Sequence, residues 1–211
     1  MAEKTFDNAA KFPDMRGTNT TSGTPTFGVA DAVGMRVVPI YQKVRPEWAA
    51  QPPRAISPKG ITANIVADLI LDFCQEHGDL VTNLRLQRLL YFAQGWYLGL
   101  HGKKLYPEPL QAWASGPIQP DVYARFASFG ALPISNASFK WRVPENVRSH
   151  IRELMEVYGS FSSFDLQRIA CDEEPWREAR KGLAHDAPSS NIIDTATLRR
   201  VYRGKAKQGK P

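Results

Sequence analysis

The stretch RLQRLLYFAQGWYLGLHGKKL, residues 85–105, decides the fold of this chain. Its apolar side chains recur at three- and four-residue spacing and cover well over half of a helical circumference. A helix that is apolar on nearly all sides packs against several neighbours. Thr82 is suited to cap its start, and Gly102 is suited to end it. The stretch therefore predicts the central helix of a helical domain.

The stretch LQAWASGPIQPDVY, residues 110–123, follows closely and has a different character. Together with Leu105–Tyr106 it is too short and too interrupted by prolines for a helix, and it predicts a two-stranded ribbon or an extended connection. Pro120 suits the first turn of another helix, which is expected to end at Gly130. A small β element is therefore expected after the central helix.

Apolar residues at helical spacing, separated by capping residues, predict further helices along the chain. These are expected from Ile61 to Gly78, from Pro144 to Gly159, from Ser162 or Ser163 through Ile169, from Pro175–Trp176 onward, and from Thr195 to about Arg203. The predicted fold class is mainly α: a single compact helical domain over residues 61–203, with a central apolar helix and a small β element.

Residues 1–60 read differently from this domain. Seven of the 16 prolines lie there, and no helical periodicity persists beyond a turn. Such a segment buries too little apolar surface to offset its ordering entropy, so a flexible N-terminal arm is predicted. One apolar patch within it, Met35–Tyr41, is either an extended segment lying on the domain or a short linear motif that orders on a partner.

The formal net charge of +6 invites comparison with nucleic-acid-binding proteins. Six of the 27 basic residues, however, follow Asp194, which is the last acid in the chain. Without those six the chain has 21 basic and 21 acidic residues. The excess charge therefore belongs to the end of the last helix and to a basic C-terminal tail, residues 204–211, and nucleic acid is expected as a partner only through that tail.

Other sequence features bear on compartment and chemistry. Cys74 and Cys171 are paired by no motif, which is typical of reduced thiols in a cytosolic protein. The chain opens with no signal-peptide pattern, and no segment approaches the ~20 apolar residues that span a bilayer. The four histidines have no metal-ligand spacing, and nothing specifies a phosphate loop or a nucleophile–base pair. We therefore expect a soluble, cytoplasmic protein that is not an enzyme and binds no membrane, metal or cofactor.

Three motifs in order resemble the signature of the Panacea domain, the family of SocA-like antitoxins found in bacterial and phage toxin–antitoxin pairs. They are LRLQRLLY at residues 84–91, AWASGPIQPDVY at residues 112–123 and PWREAR at residues 175–180. Two positions depart from the family pattern. Ser115 stands where an aromatic residue is usual, and Cys171 stands where the family often has histidine, which puts in doubt any role that needs a protonatable ring there.

The resemblance implies a helical antitoxin that binds and neutralises a cognate protein toxin. In the SocA branch of the family the antitoxin is also an adaptor that hands its toxin to the ClpXP protease, so the resemblance implies ClpXP as a second partner. Residues 1–60 lie outside the resemblance. The alternative function is a nucleic-acid-binding autoregulator of its own operon, for which the basic tail would supply phosphate attraction.

Six residues are candidate partner-binding residues, and each has a plainer structural explanation. The arginine pair near the start of the central helix is either solvated charge, which contributes little to stability, or a site that recognises an acidic partner or a phosphate backbone. The aromatic residues and the Gly-Pro turn are either architecture or rigid anchors of an interface. The six candidates are Arg85, Arg88, Trp113, Pro117, Tyr123 and Trp176.

Overall fold

The structure, a computed structural model, describes residues 60–135 and 141–208 and the backbone of residues 55–56. It is mainly helical, which confirms the predicted fold class. The predicted arm, including Met35–Tyr41, otherwise lies outside the described residues. The helices are α1 (Ala63–Glu76), α2 (Asn83–His101), α3 (Pro120–Arg125), α4 (Glu145–Tyr158), α5 (Ser163–Asp172), α6 (Glu174–Ala179) and α7 (Thr195–Gln208).

Four short strands lie before and between these helices in the described part of the chain. They are β1 (Ala55–Ile56), β2 (Gln111–Trp113), β3 (Gly116–Ile118) and β4 (Trp141–Arg142). β2 pairs antiparallel with β3, and β1 pairs in parallel with β4. The first strand lies within the stretch that the sequence assigns to the arm, so the chain already contacts the domain at residue 55.

The long apolar helix α2 occupies the centre of the domain, as predicted. The Thr82 hydroxyl accepts the backbone N–H of Arg85 at 3.3 Å and caps its start. Gly102 ends it in the left-handed conformation, at φ 68°. α1, α3, α4, α5 and α7 all pack against it. Among the described residues, no helix is long and apolar enough to cross a membrane.

The ribbon predicted around residue 105 forms in a different way. β2 pairs with β3 across a turn at residues 114–115, while Leu105 and Tyr106 lie buried against α2. The Gln94 side chain accepts the backbone N–H of Leu105 at 2.8 Å and donates to the Tyr106 carbonyl at 2.9 Å. A buried glutamine that satisfies the backbone of a broken segment replaces the ladder that the sequence suggested.

α7 packs unusually closely on α2. A Cβ atom added at Gly95 would lie 2.5 Å from the ring of Tyr202, and one added at Gly99 would lie 2.7 Å from the Tyr202 backbone carbon. The helix end expected near Arg203 is wrong, because α7 continues to Gln208. A salt bridge of 2.7 Å between Lys205 and Glu173 holds the last turns of α7 against the domain.

Substitution of Gly99 by alanine is expected to lower the free energy of unfolding by about 1–3 kcal/mol, the usual cost of overpacking a close contact. The new methyl group would meet backbone that cannot rotate away, and this outweighs the preference of a helix for alanine. Gly204→Ala in α7 is the matched control, because no atom lies within 4 Å of its added Cβ. That control is expected to raise stability by up to about 1 kcal/mol. Urea denaturation measures both, and effects of the same sign would contradict the close packing.

A buried histidine lies between α4 and α2. The ring of His150 is 5.0 Å from the ring of Tyr97 and 6.2 Å from that of His101, and its Nε2 donates to the Ala93 carbonyl at 2.9 Å. Burial, helped by the neighbouring His101, lowers the pKa of His150 to about 4, although the hydrogen bond to Ala93 opposes the shift. The ring is therefore neutral in the folded protein at physiological pH.

Acidification should consequently destabilise the fold through His150. The pKa of His150 in the folded state lies below its value of about 6.5 in the unfolded chain. The stability that the neutral ring contributes is therefore complete above pH 6.5 and is lost as the pH falls towards 4. The difference between the two pKa values predicts that the free energy of unfolding falls by about 2 kcal/mol between pH 8 and pH 5. Urea titrations across this range measure it, with His150→Gln as the control that keeps an N–H donor but does not titrate. An equally steep pH dependence in that variant would assign the effect to other groups.

Candidate protein-binding surface

The three sequence motifs meet at the β2–β3 hairpin. Gln111 pairs with Ile118 and Trp113 with Gly116, which has φ 114°, a conformation that side chains other than glycine rarely adopt. On the outer side of the hairpin, the Ala112 N–H donates to the Asn191 carbonyl at 2.8 Å. The segment before α7 thus hydrogen-bonds to the outer edge of β2. The hairpin lies between this segment, α2 and α6.

Arg88 of α2 supports the hairpin turn from inside the protein. Its side chain is fully buried, its Nη1 donates to the Pro117 carbonyl at 3.2 Å and its Nη2 donates to the Ser115 carbonyl. Burial lowers the pKa of Arg88 to about 10, and the group remains charged at neutral pH. The guanidinium lies against Gly116, where an added Cβ would come within 3.0 Å of it. Arg88 therefore holds the turn in place.

Arg85 is also engaged within the fold. It forms a salt bridge with Asp79 at 2.9 Å, and it donates to the carbonyls of Leu80 at 3.2 Å and of Gly159. The expectation that Arg85 and Arg88 are solvated charges is wrong, because both are largely removed from solvent. They satisfy carbonyls in turns that have no regular partners.

Trp176 and Arg180 of the third motif contact the same hairpin. Trp176 Nε1 donates to the Trp113 carbonyl at 3.1 Å, and Arg180 Nη1 donates to the Ala112 carbonyl at 3.1 Å. Trp176 is 6% exposed. Cys171, which stands where the resembled family often has histidine, is partly exposed, and burial raises the pKa of its thiol.

Two of the six candidates present an aromatic surface. Trp113 and Tyr123 are partly exposed, and their rings meet edge to face with centroids 5.0 Å apart. The Trp113 Nε1 donates to Gln111 Oε1 at 2.8 Å, and Asn83 Nδ2 holds the Tyr123 carbonyl at 3.0 Å. Ile192, which is 62% exposed, forms a β-bridge with Gln111. We call Trp113, Tyr123 and Ile192 the hairpin surface.

The candidates therefore divide into two groups by their position. Arg85, Arg88, Pro117 and Trp176 lie inside the fold, whereas Trp113 and Tyr123 reach solvent. Of the four buried residues, Arg88 and Trp176 hydrogen-bond the hairpin and Pro117 is part of it. Ile192 is absent from the sequence-based set. Its signal was weak, since a single aliphatic residue in a polar segment is ordinary until the hairpin is seen beside it.

Glu173 forms a second buried polar cluster, behind the hairpin. Its carboxylate accepts hydrogen bonds from the hydroxyls of Tyr91 at 2.6 Å and Tyr202 at 2.8 Å, and from Lys205 at 2.7 Å. Burial, together with the charge of Glu173, raises the pKa of both tyrosines well above 10. The cluster thus joins α2, the α5–α6 junction and α7. Over the described ranges, no three histidine, cysteine, aspartate or glutamate side chains are grouped to hold a metal ion.

Two comparisons with known proteins found a similarity to one family of antitoxins. Residues 86–177 match the family described as antitoxin SocA-like, Panacea domain. Over this segment the chain is similar to the SocA-like Panacea domain. Antitoxin SocA of Caulobacter vibrioides (strain NA1000 / CB15N) is 38% identical over 89 residues, which is 42% of this chain and 47% of SocA. The chain thus spans about half the length of the curated relative that it matches. No solved structure matches the chain.

The matched Panacea segment contains five of the six candidate residues, and Arg85 lies just before it. It begins within α2 and ends within α6, so α1 and α7 lie outside the match although they pack on it. Tyr202 and Lys205 of α7 complete the Glu173 cluster. The matched segment therefore depends on α7 for part of its core.

Proposed function

We propose that this protein is a non-enzymatic antitoxin that binds and neutralises a protein toxin. The observation that carries the proposal is its 38% identity over 89 residues to a protein named antitoxin SocA. The family match over residues 86–177 includes the whole β2–β3 hairpin. SocA is covered over 47% of its length, so the proposal transfers the antitoxin function and not every property of that protein.

The hairpin surface is the proposed contact for the toxin. Trp113 and Tyr123 are partly exposed aromatic residues, and large amphipathic rings lose little side-chain entropy on binding. Their backbone is held by Trp176 and Asn83. A surface that is rigid before binding avoids the ordering cost that weakens flexible interfaces. Arg88, Pro117 and Trp176 act in this proposal by positioning the hairpin. Arg85 instead joins the turn before α2 to the end of α4.

In the finer form of the proposal, the antitoxin acts in the cytoplasm and delivers the bound toxin to the ClpXP protease, as the resemblance to the SocA branch implies. Simple occlusion of the toxin is the alternative. The two mechanisms differ in the fate of the toxin: delivery shortens its half-life in cells that contain ClpXP, whereas occlusion leaves the toxin intact and bound.

The test is co-expression with the protein encoded next to this one, scored by growth and by co-purification. Trp113→Ala with Tyr123→Ala is expected to abolish growth rescue and to weaken binding at least tenfold, because removal of central aromatic anchors commonly costs 2 kcal/mol or more. Phe164→Ala is the matched control, since Phe164 is an aromatic residue on α5 that is 73% exposed.

Circular dichroism and thermal unfolding of each variant separate loss of binding from loss of fold. Full rescue by a folded Trp113→Ala, Tyr123→Ala variant would contradict the assigned surface. A neighbouring protein that is not toxic, or that does not bind the wild-type chain, would contradict the antitoxin function itself.

A further inference from the structure

The outer face of α7 carries a regular row of cations. Arg199, Arg203 and Lys207 follow one another at four-residue intervals, and all three are exposed. Four residues of α-helix rise by about 6 Å, so the row is about 12 Å long and runs nearly parallel to the helix axis. We call these three residues the basic row.

The rotation of α7 is set by its buried side. Tyr202 lies against Gly95 and Gly99, and Lys205 reaches inward to Glu173. With those two side chains turned towards the core, the basic row is left on the opposite, solvent-facing side. The row is therefore a fixed feature of the folded domain and not a frayed tail.

The basic row has no acidic partner among the described residues. The neighbouring Arg200 is paired with Glu174 at 2.8 Å, whereas no salt bridge joins any described acid to a residue of the row. A shallow depression of about 510 Å³ lies along the row. It is lined by Ala196, Arg199, Arg200, Arg203, Gly204 and Lys207. The residues that line the depression include no acid, so a negatively charged ligand would meet the three cations of the row directly.

The shape and composition of this depression distinguish between two anionic partners. A protein partner usually needs an aromatic or branched aliphatic anchor at the centre of the interface. Here the uncharged residues that line the depression are Ala196 and Gly204. A methyl group and a bare backbone offer no such anchor, and they allow a nucleic-acid duplex to approach the helix closely. Binding to a phosphate backbone needs cations and close approach, and it needs no apolar contact.

We infer that the basic row of α7 binds the phosphate backbone of double-stranded nucleic acid without reading its sequence. The hairpin surface uses other residues, so this second binding activity does not rest on the proposed antitoxin function. Three cations on one helix face give weak attraction that depends on salt, which suits non-specific association with nucleic acid rather than specific recognition.

The experiment measures binding of the full chain to a fluorescein-labelled 20-base-pair DNA duplex of mixed sequence between 50 and 200 mM NaCl. Three phosphates neutralised by the row predict a slope of about −2.7 for log affinity against log salt, or about a 40-fold loss across that range. The Arg199→Gln, Arg203→Gln, Lys207→Gln variant should lose most of this slope. Arg203→Gln alone should reduce its magnitude by about 0.9.

The matched control is the triple variant Arg142→Gln, Arg168→Gln, Lys181→Gln. It also removes three positive charges, from exposed residues outside α7. It is expected to keep the wild-type slope. No binding at 50 mM NaCl, or equal losses in the two triple variants, would overturn the inference. A polyglutamate peptide that binds the row as tightly as the duplex at the same salt concentration would also overturn it, in favour of an acidic protein partner.

Discussion

Substitution of Arg88 by glutamate is expected to lower the free energy of unfolding by about 3–5 kcal/mol, the range observed when a buried charge loses its compensation. The guanidinium of Arg88 is fully buried and donates to two carbonyls of the hairpin turn, those of Ser115 and Pro117. A carboxylate at this position would face those same carbonyls and could accept nothing from them. The turn and the buried charge would both be left without partners.

Urea denaturation followed by far-UV circular dichroism measures this loss. Arg168→Glu on α5 is the matched control, because Arg168 is exposed and the same charge reversal there should change stability by less than about 0.5 kcal/mol. Equal effects in the two variants would show that Arg88 is more accessible than its contacts indicate. Arg88→Met is a milder test, which removes the hydrogen bonds but fills the space and is expected to cost about 1–3 kcal/mol.

Substitution of Glu173 by alanine is expected to lower the free energy of unfolding by about 3 kcal/mol. The carboxylate is the shared acceptor for Tyr91, Tyr202 and Lys205, which come from two different helices. Without it, two buried hydroxyls lose their acceptor and Lys205 loses its counterion. The value lies at the lower end of the range for a broken buried pair, because 21% of the Lys205 side chain remains exposed and can regain water.

Glu174→Ala provides the control next to it in sequence. Glu174 is paired with Arg200 at the surface, at 2.8 Å, and exposed pairs of this kind contribute little to stability. Hydrogen exchange of α7 adds a second measurement, since loss of Glu173 should reduce protection in α7 more than in α4. A Glu173→Ala protein as stable as Glu174→Ala would contradict the role assigned to the cluster.

The helices were largely predictable because their ends are encoded locally. Thr82 and Ser162 accept the expected N-cap hydrogen bonds, and Gly102 ends α2 in a left-handed conformation. These signals depend on residues three or four positions apart. The last turns of α7 were missed because Lys205 is held by Glu173, which is 32 positions away in sequence. No local pattern contains that contact.

The candidate surface was predictable only in part, for a similar reason. Arginine near the start of a helix usually faces water, and the burial of Arg88 becomes apparent only when the hairpin carbonyls are seen above it. Trp113 and Tyr123 could be named as possible anchors from their side-chain chemistry. Their partial exposure, and the nearness of Ile192 to Gln111, depend on how the hairpin packs.

The basic residues after Asp194 show the same limit. As sequence they read as a tail that frays, and the neutral remainder of the chain offered no row of cations. In the structure α7 continues through them and is turned so that Tyr202 and Lys205 face inward. The helical period then gathers the remaining cations on one side. Whether these charges form one surface thus depends on where α7 ends, and the sequence predicted that end too early.

The packing of α7 on α2 has a consequence for synthesis on the ribosome. Tyr202 covers Gly95 and Gly99 and reaches the same carboxylate as Tyr91, although roughly a hundred residues of chain separate the two helices. The emerging polypeptide cannot complete its core until residue 205 has left the exit tunnel, so α2 must wait with much of its apolar surface uncovered. We therefore expect ribosome-stalled chains that end before residue 195 to be sensitive to protease.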